Sequence, residues 1–475
     1  MKSTKAKTIG LALGPLLFAI LQALPAPEGM PAAAWKLAAV ALWMVVWWIC
    51  EAIPIPATSL IPLVAFPLLG IRSSAETAAN YADHNVFLFM GGFIIALGME
   101  KWGLHRRIAL RTVQLLGTGM RTVVLAFMAA SALLSMWISN TATTMMMLPI
   151  AMAVLSKFKG REGADRLGIA LMLGIAWAAS VGGIGTLIGT PPNIVLAGAV
   201  KKLLPGREGI GFGQWMQVGL PLVVVFVPLI WLYLVRIAAR LPAKSGSLDL
   251  KAELSALGPM SRGEKIALLV FLLTATAWIV RKPLISLVFP GVTDATIAMT
   301  GALVLFVIPV KWKEKEFAMD WKQAVKLPWG ILLLFGGGFA LADAMEASGL
   351  SKWLGAQLTV LSVLPTPLVI AVTCAFMAAL TELTSNTATT ITMLPVLAAT
   401  ARGMGVDPLT LMIPATMAAS CAFMLPVATP PNAIVFASGK VPLSKMFRSG
   451  IWMELVGVLL ITVLMCTLGN RIFGL

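Results

Sequence analysis

Six residues, Ser139-Asn140-Thr141-Ala142-Thr143-Thr144, are spelled again 246 positions later as Ser385-Asn386-Thr387-Ala388-Thr389-Thr390. Each copy runs on into Met-Leu-Pro, at Met147-Leu148-Pro149 and Met393-Leu394-Pro395, and each interrupts an apolar run that otherwise reads as one membrane-deep helix. In hydrocarbon an unsatisfied backbone group costs several kcal/mol, so irregular backbone at that depth survives only where it lines a cavity or is buried in protein. Two matching polar breaks therefore predict one central site.

Composition fixes the class. Of 475 residues, 59% are hydrophobic and 12% charged, with a mean hydropathy of +0.91. A soluble globule carries about twice that charged fraction, so the chain reads as an all-α polytopic membrane protein. The net charge of +16 raises nucleic acid as a partner, but the basic residues fall in short segments between apolar runs and form no stripe. Cys50, Cys374, Cys421 and Cys466 lie in apolar segments without a CxxC pair, which argues against a disulfide framework or zinc site. Lys5 and Lys7 before the apolar run Thr8 to Leu24 partly imitate a secretory signal, but the run is long for one and is read as a retained first span.

Runs of spanning length follow at Trp35 to Ala52, Ala57 to Ile71 (short) and Val86 to Gly103. The first broken segment, Thr122 to Ile138 with Ala142 to Leu155, precedes Leu167 to Val200 and Trp215 to Ile237. The second half reads Ile266 to Val280, Ala295 to Val310, Trp329 to Met345, the broken Pro367 to Thr384 with Ala388 to Ala401, Leu409 to Ala437 and Ile451 to Leu468. The Leu167 and Leu409 runs are themselves interrupted, by Gly189-Thr190-Pro191-Pro192-Asn193 and Ala428-Thr429-Pro430-Pro431-Asn432. Phe89, Gly91, Gly92, Phe93, Glu100 and Gly103 also recur 246 positions on, as Phe335, Gly337, Gly338, Phe339, Glu346 and Gly349.

The chain is thus expected to hold about eleven transmembrane helices plus two re-entrant hairpins. Its parts are an N-terminal helix (1–34), repeat one (35–238, tip 139–141), a cytoplasmic linker (239–264) and repeat two (265–475, tip 385–387). Five crossings per half plus a hairpin that returns to its own side make the repeat inverted, as in secondary transporters. With the N-terminus cytoplasmic and the C-terminus outside, 26 of the 36 basic residues fall on inside segments, in line with the positive-inside rule.

At the breaks, Ser, Asn and Thr suit helix N-caps, and Pro suits the first helical position. Four converging helix N-termini, each with roughly half a positive charge and free N–H donors, favour an anion without any Lys or Arg. The carbonyl oxygens at the same tips, with Ser, Thr and Asn oxygens, suit a small hard cation. Hydroxyl and amide side chains in membrane helices often serve only as interhelical glue; two identical tips with two matched breaks weigh against that. Glu51, Glu100, Asp343 and Glu346 are expected to be structural or at helix ends rather than proton relays, with Glu382 set apart because it lies beside the second tip. His84 and His105 fall at helix ends, and no HExxH motif is present, so an intramembrane enzyme is disfavoured.

The paired Ser-Asn-Thr tips, the paired Thr-Pro-Pro-Asn breaks and the Glu51-Ala52-Ile53-Pro54 turn resemble the divalent anion/sodium symporter family, the INDY-type di- and tricarboxylate transporters, over nearly the whole chain. The resemblance implies a homodimer in a prokaryotic inner membrane, with scaffold and transport domains working as an elevator and carrying succinate, malate or fumarate. It implies substrate contacts from Ser139, Asn140, Thr141, Ser385, Asn386 and Thr387, with Thr190, Pro191, Thr429 and Pro430 closing the site. One sodium site would use Ser135, Asn140 and Gly189, and its repeat mate Thr381, Asn386 and Ala428. No organic cofactor is implied. Because some members exchange dicarboxylates, or citrate for a dicarboxylate, without sodium, exchange is the alternative to symport.

Overall fold

The computed structural model describes residues 4–116, 119–158, 160–242, 255, 257–357 and 364–475. The orientation readings at Lys2, Lys159, Lys244 and Lys251, and positions 243–254 and 256 of the 239–264 linker, lie outside the described residues. Among the described residues, nine helices are long and apolar enough to cross a membrane, and four shorter apolar helices accompany them.

After α1 (Thr4–Ala23) and α2 (Ala32–Cys50), the first repeat continues through α3 (Ile61–Leu69) and α4 (His84–Lys101). The hairpin is α6 (Met120–Ser135) with α7 (Asn140–Lys157), followed by α8 (Ala164–Ile184), α9 (Pro191–Leu203) and α10 (Phe212–Tyr233). Between α4 and α6 lies α5 (Leu104–Leu116). In the second repeat, α11 (Arg262–Val280), α12 (Asp294–Val307), α13 (Trp329–Ala347) and α14 (Leu350–Gln357) lead to the hairpin α15 (Thr366–Leu383) with α16 (Asn386–Gly403). Then come α17 (Leu409–Ala418), α18 (Pro430–Ala437) and α19 (Leu443–Leu464).

Three expectations change. The span Ala57 to Ile71 is not one helix: Ile55–Thr58 makes a single turn and α3 starts afresh at Ile61, with Pro62 at its second position, where Pro starts rather than continues a helix. The Leu409 run is helical only to Ala418, and 419–429 is non-helical, a longer break than 185–190 in the first repeat. Third, hydropathy alone left α5 and α14 unseen. Arg106 and Arg111 give α5 an exposed charged face, and its other face buries Leu104, Arg107, Ala109, Leu110 and Val113. Gly103 (φ 73°) and Gly349 (φ 80°), repeat mates, turn the chain into these two helices through a left-handed conformation that costs glycine little. Arg107 is buried and clamped, its Nε donating to Glu264 Oε1 of α11 at 2.7 Å and its Nη1 to Gly258 O at 2.9 Å.

The packing repeats with the sequence. α8 lies against α6, α7 and α10, as α17 lies against α15, α16 and α19. The short helices cross over: α9 of repeat one packs on α16 and α17, and α18 of repeat two packs on α7 and α8. Each Pro-started half-helix is thereby brought to the other repeat's hairpin.

Candidate functional site

In the first hairpin, Ser139 is extended (φ −56°, ψ 143°) and its side chain accepts from Ala142 N at 3.2 Å, so α7 starts at Asn140. This is the N-cap expected of Ser, with the helix beginning at the Asn rather than after it. Across the tip, Ser135 Oγ donates to Asn140 Oδ1 at 2.6 Å. The unwound end of α8 comes against the same group. A methyl on Gly183 would lie 2.7 Å from Asn140 Oδ1 and 3.1 Å from Gly189 O, and one on Gly189 would lie 2.5 Å from Gly183 O and 3.0 Å from Ser135 O. Only glycine leaves that space open. Ser135 O, Asn140 Oδ1, Gly183 O and Gly189 O therefore crowd around these two glycines, and they are oxygens of the kind that suit a hard cation.

The second hairpin repeats the central bond: Thr381 Oγ1 donates to Asn386 Oδ1 at 2.5 Å, and lies 3.0 Å from Ala419 O, where α17 has just unwound. Ala428, buried, sits at the far end of the same unwound segment. The next residue, Thr429, caps α18 with its hydroxyl, which accepts from Asn432 N at 3.3 Å. Thr190 caps α9 from an equally extended backbone (φ −144°, ψ 143°), and Pro191 and Pro430 take the first helical positions as expected. Ser385 caps α16 through its backbone conformation alone.

Of the residues singled out from sequence, Ser135, Asn140 and Gly189 come together directly, and Thr381 and Asn386 do so through their hydrogen bond. Ser139, Ser385 and Thr141 are half-buried at the tips, Thr190, Thr387 and Thr429 are buried, and Pro191 is half-buried. Pro430 differs from its mate in being exposed. Positions 135–144, 183–193, 381–390 and 419–432 contain no Lys or Arg. Countercharge for a bound anion must then come from helix termini or from co-bound cations.

Sequence reading missed the ties that fix the breaks to the tips. Thr186 Oγ1 donates to Met136 O at 2.5 Å and accepts from Gly189 N at 3.1 Å. In the second repeat Glu382, set apart from the other acids by its place beside the tip, accepts from Met424 N at 2.7 Å and Leu425 N at 2.8 Å. Glu454, not singled out from sequence, accepts from Phe423 N at 3.2 Å. The other flagged acids are largely structural. Asp343 pairs with Arg72 at 3.1 Å, Glu346 with Arg402 at 2.8 Å, and Glu51 takes the left-handed position (φ 49°) that ends α2.

Residues 5–475 match the sodium:sulfate symporter transmembrane region. The chain is 43% identical over 480 residues to the sodium-dependent dicarboxylate transporter SdcS of Staphylococcus saprophyticus, covering 98% of this chain and 92% of that one. It is also 43% identical over 466 residues to the protein of the same name from Staphylococcus aureus, at 95% and 89% coverage. Among solved structures, the Alcanivorax borkumensis YdaH transporter superposes with a TM-score of 0.57 at 14% identity, over 98% of each chain. Neisseria gonorrhoeae MtrF does so at 0.56 and 11%, over 95% of this chain and 97% of that one. At these identities the two structures speak to fold alone.

Proposed function

The chain belongs to the sodium:sulfate symporter family, and on that premise we propose that it is a secondary transporter carrying C4-dicarboxylates such as succinate, malate and fumarate across the membrane together with sodium. The observation that carries this reading is the doubled arrangement in which a hydroxyl (Ser135, Thr381) meets an Asn carboxamide oxygen (Asn140, Asn386) beside unwound backbone, with no basic side chain in either tip or break. A dianion there gains fractional positive charge from the helix N-termini and whole charges from co-bound ions. The Staphylococcus relatives, named as sodium-dependent dicarboxylate transporters, support the same substrate and ion.

In this reading Ser139, Asn140, Thr141, Ser385, Asn386 and Thr387 hold the carboxylates, and Thr190, Pro191, Thr429 and Pro430 close the site. Sodium is cargo at Ser135, Asn140 and Gly189 and at Thr381, Asn386 and Ala428. Two sodium ions balance a dianion, and each further ion makes transport electrogenic, worth about 2.3 kcal/mol per net charge per 100 mV. Purified protein in liposomes should take up succinate when an inward sodium gradient is imposed, with a sigmoidal sodium dependence. Uptake that ignores sodium and requires preloaded dicarboxylate would establish exchange instead.

The protein is further read as a homodimer whose two hairpins move as an elevator against a scaffold, with the N-terminus cytoplasmic. A single cysteine at Glu162→Cys should react with impermeant thiol reagents only from the cytoplasm, and one at Glu208→Cys only from outside. Labelling of both from one face would remove the inverted topology.

A further inference from the structure

Two side chains outside the ligand sets occupy the same place in both repeats. Asn193 and Asn432 are each the third residue of a Pro-started half-helix, and each is fully buried. Asn193 Nδ2 donates backwards to Gly183 O at 3.1 Å and to Thr186 O at 2.7 Å, while Asn432 Nδ2 donates to Ala422 O and Leu425 O, both at 3.1 Å. The acceptors lie ten and seven residues back in both cases. One amide group therefore ties the start of each unwound segment to the helix that restarts after it.

We infer that Asn193 and Asn432 are positioning residues for the two sodium sites, each closing its helix break into a fixed loop so that the carbonyl at the break, Gly189 O or Ala428 O, is presented to the cation. The inference rests on the proposed sodium sites. Three observations carry it. Gly183, whose carbonyl Asn193 holds, is the residue on which a methyl would lie 2.7 Å from Asn140 Oδ1 and 3.1 Å from Gly189 O. Thr186, whose carbonyl takes the second N–H, uses its hydroxyl to hold Gly189 N and Met136 O, so one amide bears on both the break and the tip.

The third concerns the other end of each amide. Asn193 Oδ1 and Asn432 Oδ1 are buried without a hydrogen-bond partner. A buried acceptor left open disfavours the folded state. An apolar residue would pack there without that loss, so both positions hold Asn for the two donors it aims at the backbone. Metal-site groups that orient a ligand without touching the ion act in this way, and removing one typically weakens the metal by roughly 10- to 100-fold.

The test is thermal unfolding of the purified full-length protein in sodium chloride against choline chloride. In the wild type, sodium should raise the unfolding temperature. In Asn193→Ala and in Asn432→Ala the sodium concentration giving half the rise should increase roughly 10- to 100-fold, and the sodium dependence of succinate uptake should move with it. A purely structural role would instead lower the unfolding temperature in choline and leave the half-effective sodium concentration at its wild-type value, which overturns the inference. If the alanine variants do not fold, Asn193→Ser and Asn432→Ser, which keep one donor, decide by the same readout with a smaller increase expected. A wild type indifferent to sodium overturns the sodium-site reading, and this inference with it. A sodium response that the variants leave unchanged overturns this inference alone.

Discussion

The two hairpin tips share six identical residues and the same hydroxyl-to-Asn bond, yet they sit in opposite surroundings. Tip one is sealed. Trp137, half-buried, stacks with Phe212 at 6.1 Å and Trp278 at 6.5 Å and meets Phe271 edge-on at 4.8 Å, which wedges the tip against α10 and α11. Its mate, Leu383, is 65% exposed. Likewise Ile188 beside the first break is 8% exposed, whereas Val427 beside the second is 69% exposed. Duplication kept the hydroxyl-to-Asn pairs alike and let the walls around them diverge. An alternating-access carrier needs that combination: one site chemistry, and two faces that are never open at once.

The ties diverged in a second way. Position 136 of the first tip meets position 186 of the first break, and the equivalent positions 382 and 425 meet in the second repeat. In repeat one the side chain belongs to the break and the backbone to the tip, as Thr186 reaches Met136 O. In repeat two the side chain belongs to the tip, as Glu382 receives Leu425 N. The contact persisted with its donor on the break in both repeats, while the side chain that makes it changed sides. Thr384 Oγ1 also bonds Thr389 Oγ1, whereas Ile138 in the equivalent place leaves the Thr143 hydroxyl unpaired.

If the tips are chemically equivalent, Asn140→Ala and Asn386→Ala should each lower succinate uptake by roughly 100-fold, since each removes an oxygen or donor shared by anion and cation, worth about 1.5–3 kcal/mol per charged interaction. Surface expression should persist. One variant with wild-type uptake would break the equivalence.

The asymmetry of the walls predicts unequal stability. Trp137→Ala should destabilise the protein by about 2–4 kcal/mol, below the roughly 3–5 kcal/mol of a fully buried aromatic because Trp137 is half-buried. Leu383→Ala should stay within about 0.5 kcal/mol, as for an exposed site. Denaturant or thermal unfolding in detergent reads the difference, and equal losses would mean that the second tip is as sealed as the first.

Smaller effects sharpen the comparison of the ties. Glu382→Gln turns an amide N–H toward one of two buried backbone donors and should cost about 1–3 kcal/mol, while Thr186→Val gives up neutral hydrogen bonds and should cost about 0.5–1.5 kcal/mol. Unfolding midpoints that rank Thr186→Val as the more damaging change would overturn the assignment of the carboxylate as the stronger tie.

The helical class, the hairpins and the Pro-started half-helices were legible in the sequence, whereas the grouping of Ser135 with Asn140 and of Thr381 with Asn386 came from the family resemblance. The first three rest on short-range causes: apolar length, the capping preference of Ser and Thr, and the missing N–H of Pro. The helix α5 was lost because Arg106, Arg107 and Arg111 lower the local hydropathy, and only the tertiary structure supplies a partner such as Glu264 for one of those charges; α14, 8 residues long with Lys352 in it, is too short to read as a span. The ties made by Thr186 and Glu382 escaped a search for identical residues because the repeat kept their contact and not their identity. Above all, the tips Trp137-Ile138-Ser139-Asn140 and Leu383-Thr384-Ser385-Asn386 do not say which is covered. Burial there depends on Phe212, Phe271 and Trp278, at least 75 positions away in the chain. Local sequence fixes where a helix breaks, but which break is closed is decided by packing between segments that meet only in the folded protein.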